Sequence, residues 1–288
     1  MSTFHAFGNA ATKQALQADV RSKGPVYCVW LTHASIEGDL TMISQDYGLH
    51  PALVRLLPAL GAFGEDDAAL TFYDALLERI PVGAGTGHLA RRTVLLAWTD
   101  PVHGRARHVE AGAVRDACVA IITLVQRSLD TTVDKPSWRA ARTRLTQAQR
   151  EAPASEPVVD LMLSLAWDLE LSPGAVQDVM RAWTAQLSAE AEASDEDPFT
   201  EAEASFFKSA MDRISEESFT ALNMVDGDGD PSYEEFLEEV NKRWAADPVT
   251  LALKERSVAR QARIKARLAL WRSEMQQKML DDAATLVV

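Results

Sequence analysis

Asp247-Pro248 opens a stretch that reads as one helix lasting to about residue 284, and no other feature limits the fold as strongly. At ~1.5 Å per residue that helix is on the order of 55 Å long, too long to be buried in one small core. It must project, cross another part of the molecule, or pair with a second chain. The remaining sequence reads the same way. Helical patterns cover 10–22, 39–47, 50–62, 66–79, 88–99, 112–129, 134–152, 158–170 and 172–188, with further helices from 200, over 216–222 and over 232–245. Only Val26-Tyr27-Cys28-Val29-Trp30-Leu31-Thr32 is β-branched and aromatic enough for a strand. One strand cannot make a sheet, so a buried helix or extended segment fits it equally. The expected fold is mainly α, a multi-helix N-terminal domain with one or two short strands at most, followed by a helix–loop–helix and the long terminal helix.

Seven tryptophans (Trp30, Trp98, Trp138, Trp167, Trp183, Trp244, Trp271) fall on separate expected elements, one large anchor per helix, as helix-on-helix packing needs. A chain of 288 residues is long enough for two cores. The clearest boundary is Ser188 to Phe199, an acidic run with nothing to bury. It divides a helical domain, 1–187, from a C-terminal part, 200–288. No apolar run approaches membrane-spanning length, which excludes membrane insertion. The N-terminus has no basic-then-apolar start, and Cys28 and Cys118 are far apart, so reduced thiols and a cytoplasmic location are expected.

Charge is unevenly spread. Residues 190–240 hold 17 acids and 2 bases, whereas residues 241–288 hold 10 bases and 5 acids. An acidic block followed at once by a basic one predicts that the two attract each other or separate partners. In the terminal helix Arg256, Arg260, Arg263 and Arg267 are spaced 4, 3 and 4 and share one face. Leu253, Ile264, Leu268, Trp271, Met275 and Met279 form an apolar face beside it. These arginines and Trp271 are the candidate partner-binding residues, for a protein partner or self-association. The net charge of −13 argues against nucleic acid.

Within the acidic block, Asp226, Asp228 and Asp230 alternate with Gly227 and Gly229, and Ser232 lies three residues before Glu235, the capping-box spacing. Crowded carboxylates need a cation or a basic partner to offset them. Together with Phe219, Leu222, Asn223 and Phe236, these residues resemble an EF-hand, and the likeness covers only about 219–240. It implies weak calcium binding, with Asn223, Asp226, Asp228, the Asp230 carbonyl, Ser232 and Glu235 as ligands, and no other cofactor. The likeness is degenerate. Anchored on Gly229 and Glu235, it puts Met224 where the first ligand belongs, and beginning at Asn223 needs one extra residue. Pro231 replaces the residue whose N–H pairs with a sister loop, and no second loop is visible. A metal-free polar turn that caps a helix fits the same residues.

Gly83-Ala84-Gly85-Thr86-Gly87-His88 opens the helix bearing Arg91 and Arg92, an arrangement able to hold an anion at a helix N-terminus. It lacks the last glycine of a dinucleotide fingerprint and the lysine of a P-loop. Asp100, His103, His108 and Glu110 crowd the next loop, where Arg105 and Arg107 would repel a metal. The leading expectation is therefore a non-enzymatic binding or regulatory protein working through its acidic segment and basic helix. The alternative is an enzyme for a phosphorylated or anionic small molecule, with His88, Arg91, His103 and His108 at its site.

Overall fold

The computed structural model describes residues 4–23, 40–61, 66–152, 156–222 and 232–287. Among these the chain is helical, with no strand. The helices are α1 (Ala10–Lys23), α2 (Leu40–Tyr47), α3 (Pro51–Gly61), α4 (Asp66–Arg79), α5 (Gly87–Thr99), α6 (Ala113–Asp130), α7 (Lys135–Glu151), α8 (Glu156–Leu165), α9 (Ala175–Ala193), α10 (Glu201–Ala221), α11 (Tyr233–Ala245) and α12 (Pro248–Ala283). A 3-10 turn, Arg105–His108, follows α5. The strand candidate over 26–32, with Cys28 and Trp30, lies outside the described residues, as do Asn223, Asp226, Asp228 and Asp230.

Local chemistry sets the boundaries. The Asp134 carboxylate accepts from the Ser137 N–H at 2.7 Å and Pro136 fills the first turn, so α7 starts where expected. Asp100 ends α5 in an extended conformation ahead of Pro101, and its carboxylate takes the N–H groups of Val102 and His103. Thr200 with Glu203 and Ser232 with Glu235 form reciprocal capping boxes at the starts of α10 and α11. The break expected before 216 does not occur. Ser218 and Thr220 return their hydroxyls to the carbonyls of Ile214 and Glu216, one turn back, which removes their competition with the helix backbone.

Two compact units form, Met1–Leu187 with Leu270–Val288, and Ser188–Ala269. One cut falls inside α9 and the other inside α12. In the first unit α1 packs on α2 and α4, α3 on α2, α4 and α5, α5 on α6, and α6 on α7 and α8. Its core includes Leu16, Leu53, Leu57, Tyr73, Leu76, Ile121, Met162 and Trp183. The end of α12 completes that core with Trp271, Met275, Met279 and Ala283, each four residues after the last on one stripe. Trp183 and Trp271 meet edge to face at 5.1 Å. Trp271, which the sequence offered both as a helix anchor and as a candidate partner-binding residue, is an anchor of this core, 1% exposed. Trp98, Trp138 and Trp244 are buried as expected, but Trp167 is 43% exposed.

The second unit has a much smaller core. Ala210, Ile214 and Trp244 are buried together, with Phe207 and Val240 packed against them where α10 lies on α11. Phe207 stacks on Trp244 at 5.5 Å and meets Phe199 at 5.7 Å.

Candidate functional site

In the second unit, Arg256, Arg260, Arg263 and Arg267 of α12 all engage residues 191–203. Arg263 makes a two-pronged contact with Asp195, its Nε and Nη2 each donating at 2.8 Å to a different carboxylate oxygen. Arg256 grips Asp197 the same way, at 3.1 and 2.7 Å, and donates through Nη1 to Glu203 at 2.6 Å. Arg260 approaches Asp195 at 3.6 Å and donates to the Glu192 carbonyl at 3.4 Å. Arg267 reaches the Ser194 hydroxyl at 2.6 Å and the carbonyls of Ala191 and Ser194 at 3.3 Å. Paired N–H donors on a planar guanidinium match a carboxylate better than an ammonium can.

Two physical functions are joined in this arrangement. Arg260 and Arg267 meet carbonyls at the C-terminal end of α9, where unpaired acceptors and the helix dipole favour positive charge. Arg256 and Arg263 neutralise the carboxylates that follow. The Glu203 carboxylate serves twice, one oxygen on Arg256 and the other on the Thr200 N–H and hydroxyl. Those backbone and guanidinium hydrogen bonds hold Glu203 down to about 2, and the Arg263 fork holds Asp195 down to about 2. Conversely, Asp197 and Glu203 raise the pKa of Arg256. The Phe199 ring lies under Arg256 at 5.0 Å. Segment 188–199 is thus no empty linker. Ala191 is buried, and the Asp195 side chain is only 1% exposed.

Of the calcium ligands expected from the EF-hand likeness, Ser232 and Glu235 are described. Glu235 directs one carboxylate oxygen to the Ser232 N–H at 2.8 Å and hydroxyl at 3.1 Å, while the Ser232 hydroxyl accepts from the Glu235 N–H. A bidentate contact from Glu235 to a cation must share or replace these bonds. Among the described residues no three carboxylate, histidine or cysteine side chains gather as a metal site.

The residues of the enzymatic alternative are drawn into separate contacts. His103 meets Glu274 at 3.0 Å, His108 accepts from Arg107 at 2.8 Å, and Arg91 donates to Glu170 at 2.6 Å. His88 is half-buried beside Arg92 and Asp282, and burial lowers its pKa, with Arg92 adding to the effect. Sequence reasoning missed two groupings here. Glu274, Lys278 and Asp282 are spaced every four residues on α12 and pair with His103, Asp100 and Arg92 respectively. That alternating i, i+4 charge pattern was a readable signal. The second, His50 with Arg91 and Glu170, had no local signal, because 120 residues separate His50 from Glu170.

His50 precedes α3 and is buried. Its Nδ1 accepts from the Ala52 N–H at 3.1 Å, so the neutral ring carries its hydrogen on Nε2, which donates to Glu170 at 3.1 Å. Its backbone N–H donates to the buried Thr86 hydroxyl at 2.9 Å. The glycine-rich connector therefore packs on His50, and a Cβ at Gly87 would come within 2.9 Å of the ring. Close approach accounts for Gly87 without invoking a phosphate.

Among the described residues no helix is long and apolar enough to cross a membrane. Compared with protein-family models, with curated proteins and with solved structures, the chain finds no match in any of the three.

Proposed function

We propose that this is a non-enzymatic binding protein whose C-terminal unit works as a charge clasp, opened by a partner that competes for one of its faces. The supporting observation is that Arg256, Arg260, Arg263 and Arg267 all meet residues 191–203. A partner with a dense anionic face competes for the arginines, and a basic helix competes for Asp195, Asp197 and Glu203. The pairs of Arg256 with Asp197 and Glu203 are partly exposed, and such pairs contribute little individually and weaken with salt, so that side of the clasp is suited to exchange. Calcium enters this reading as a weak modulator, held in the high-micromolar range or weaker by Asn223, Asp226, Asp228, Asp230, Ser232 and Glu235. The chain then works by protein–protein contact or self-association, in a cytoplasmic setting.

Limited proteolysis of the full chain at 50 and 500 mM salt, with cross-linking in parallel, tests the clasp. Cleavage within 188–200 should rise at high salt, and R256Q/R263Q should show the same cleavage at low salt. Protection that salt and that variant leave unchanged would overturn the reading. Calorimetric titration addresses calcium separately, and the absence of heat at millimolar calcium would remove that element alone.

A further inference from the structure

Helix α7 bears Lys135, Arg139, Arg142, Arg144 and Arg150 against one acid, Glu151, in a chain that holds 42 acids and 29 bases. Its other face, with Trp138, Ala141, Leu145 and Ala148, is buried on the core, which turns the bases outward. Elsewhere in the first unit several arginines find carboxylates: Arg21 meets Asp74, Arg91 meets Glu170, Arg92 meets Asp282, and Arg181 meets Asp178, whereas Arg79 and Arg115 donate to backbone carbonyls. Arg139, Arg144 and Arg150 are exposed and have no acidic partner among the described residues. With acids in excess, three exposed arginines gathered on one helix mark charge that no described carboxylate of the unit pairs with.

The surface has shape as well as charge. An open groove of about 530 Å³ runs along α7 beside Leu163 of α8, with Arg139, Arg142, Thr143, Thr146, Gln147 and Arg150 on its walls. A second groove, about 430 Å³, adjoins it and adds Arg144. Arg142 is fixed in place, donating to the Ala166 carbonyl at 2.6 Å with its guanidinium 4.0 Å above the exposed Trp167 ring. Burial, and after it the neighbouring Arg139, lowers its pKa.

We propose that this α7–α8 face docks an acidic segment of a protein partner, a run of aspartate and glutamate side chains laid along α7. Guanidinium forks suit carboxylates, and Arg and Trp are enriched at protein interfaces. From Pro136 to Arg150 the row is roughly 21 Å long at 1.5 Å per residue, which is room for four helical turns of a partner. Thr143, Thr146 and Gln147 add hydrogen-bonding groups between the charges. Nucleic acid is the weaker fit, since a net charge of −13 and a pI of 4.9 repel a long polyphosphate. This surface extends the binding reading but does not depend on the clasp, because α7 and α8 belong to the first unit.

Fluorescence anisotropy of the full chain with a labelled 16-residue Glu/Asp-rich peptide at 50 mM salt is the test. R139Q/R144Q/R150Q should weaken binding at least tenfold. R139K/R144K/R150K, which keeps charge but not the fork, should weaken it only a few-fold. R181Q/K242Q, which alters exposed bases elsewhere, should leave it unchanged. Because the three arginines are exposed, thermal melts of these variants should match the parent. Failure of the peptide to bind overturns the proposal, as does equal binding by the parent and the R139Q/R144Q/R150Q variant. A loss confined to R256Q/R263Q would place the peptide on the clasp, sinking this proposal while sparing the clasp. Tighter binding of a 20-nucleotide single strand, lost in R139Q/R144Q/R150Q, would reassign the surface to nucleic acid.

Discussion

His50 shows how one side chain can tie a helix start to solution conditions. Its Nδ1 accepts the Ala52 N–H at the N-terminus of α3, so a proton there would turn an acceptor into a donor facing a donor. Burial lowers its pKa most, opposed by Glu170 and, least of all, by Asp168, with Arg91 reinforcing the lowering. The unfolded chain therefore takes up the proton first. Stability contributed by neutral His50 is complete above about pH 6.5 and is lost as pH falls below that value. His88, whose pKa is also lowered, adds a loss of the same sign. The melting temperature should drop between pH 7.5 and 5.5, and less so in H50N, whose side-chain carbonyl can still accept from Ala52. Gly87→Ala tests the packing beside it. A Cβ 2.9 Å from the ring should cost about 1–3 kcal/mol by overpacking, read from denaturant unfolding.

At the scale of elements, what could be read from the sequence was what is encoded within one turn. Asp134 with Pro136, Ser232 with Glu235, and Asp100 before Pro101 are neighbours in the chain, and each sets a helix end as expected. The stretch from 200 to 222 was expected as two helices, one of them over 216–222, whereas Glu201–Ala221 is a single helix. The acidic and basic blocks were legible as charge and their mutual attraction was among the expectations, but which residues would pair was not. Asp195 and Arg263 lie 68 residues apart, and only tertiary packing shows that Asp195 is the buried carboxylate of the acidic run. Since Glu203 and Asp195 are each held down to about 2, against roughly 4.3 and 3.9 unfolded, their contribution is present above about pH 4. It is lost as pH falls from 4 towards 2, and cleavage within 188–200 should rise across that window. Thr200→Ala removes the hydroxyl half of the box and should cost about 0.5–2 kcal/mol, shown by faster hydrogen exchange in the first turn of α10.

For the molecule as a whole, the order of the chain conceals how the first unit is built. A boundary drawn in the acidic run yields residues 1–187 as a domain, yet residues 270–288 belong to the same compact unit. Those last residues bring Trp271 against Trp183, Met275 and Met279 into the core, and Gln276 onto the Leu60 carbonyl at 2.7 Å. They also bring Glu274, Lys278 and Asp282 to His103, Asp100 and Arg92. Burial of one large aromatic is worth about 3–5 kcal/mol when truncated to alanine, a large share of a typical stability of about 5–15 kcal/mol. The loss of Trp271 with two buried methionines should then exceed what a 1–187 fragment can bear. That fragment should show a broad, low-temperature melt, sharpened and raised by adding a 268–288 peptide in trans. A W183A substitution in the fragment should abolish the gain, because the peptide's tryptophan would lose the ring it packs against. A fragment that melts cooperatively alone, indifferent to the peptide, would mean that the terminal stripe decorates a core already complete without it.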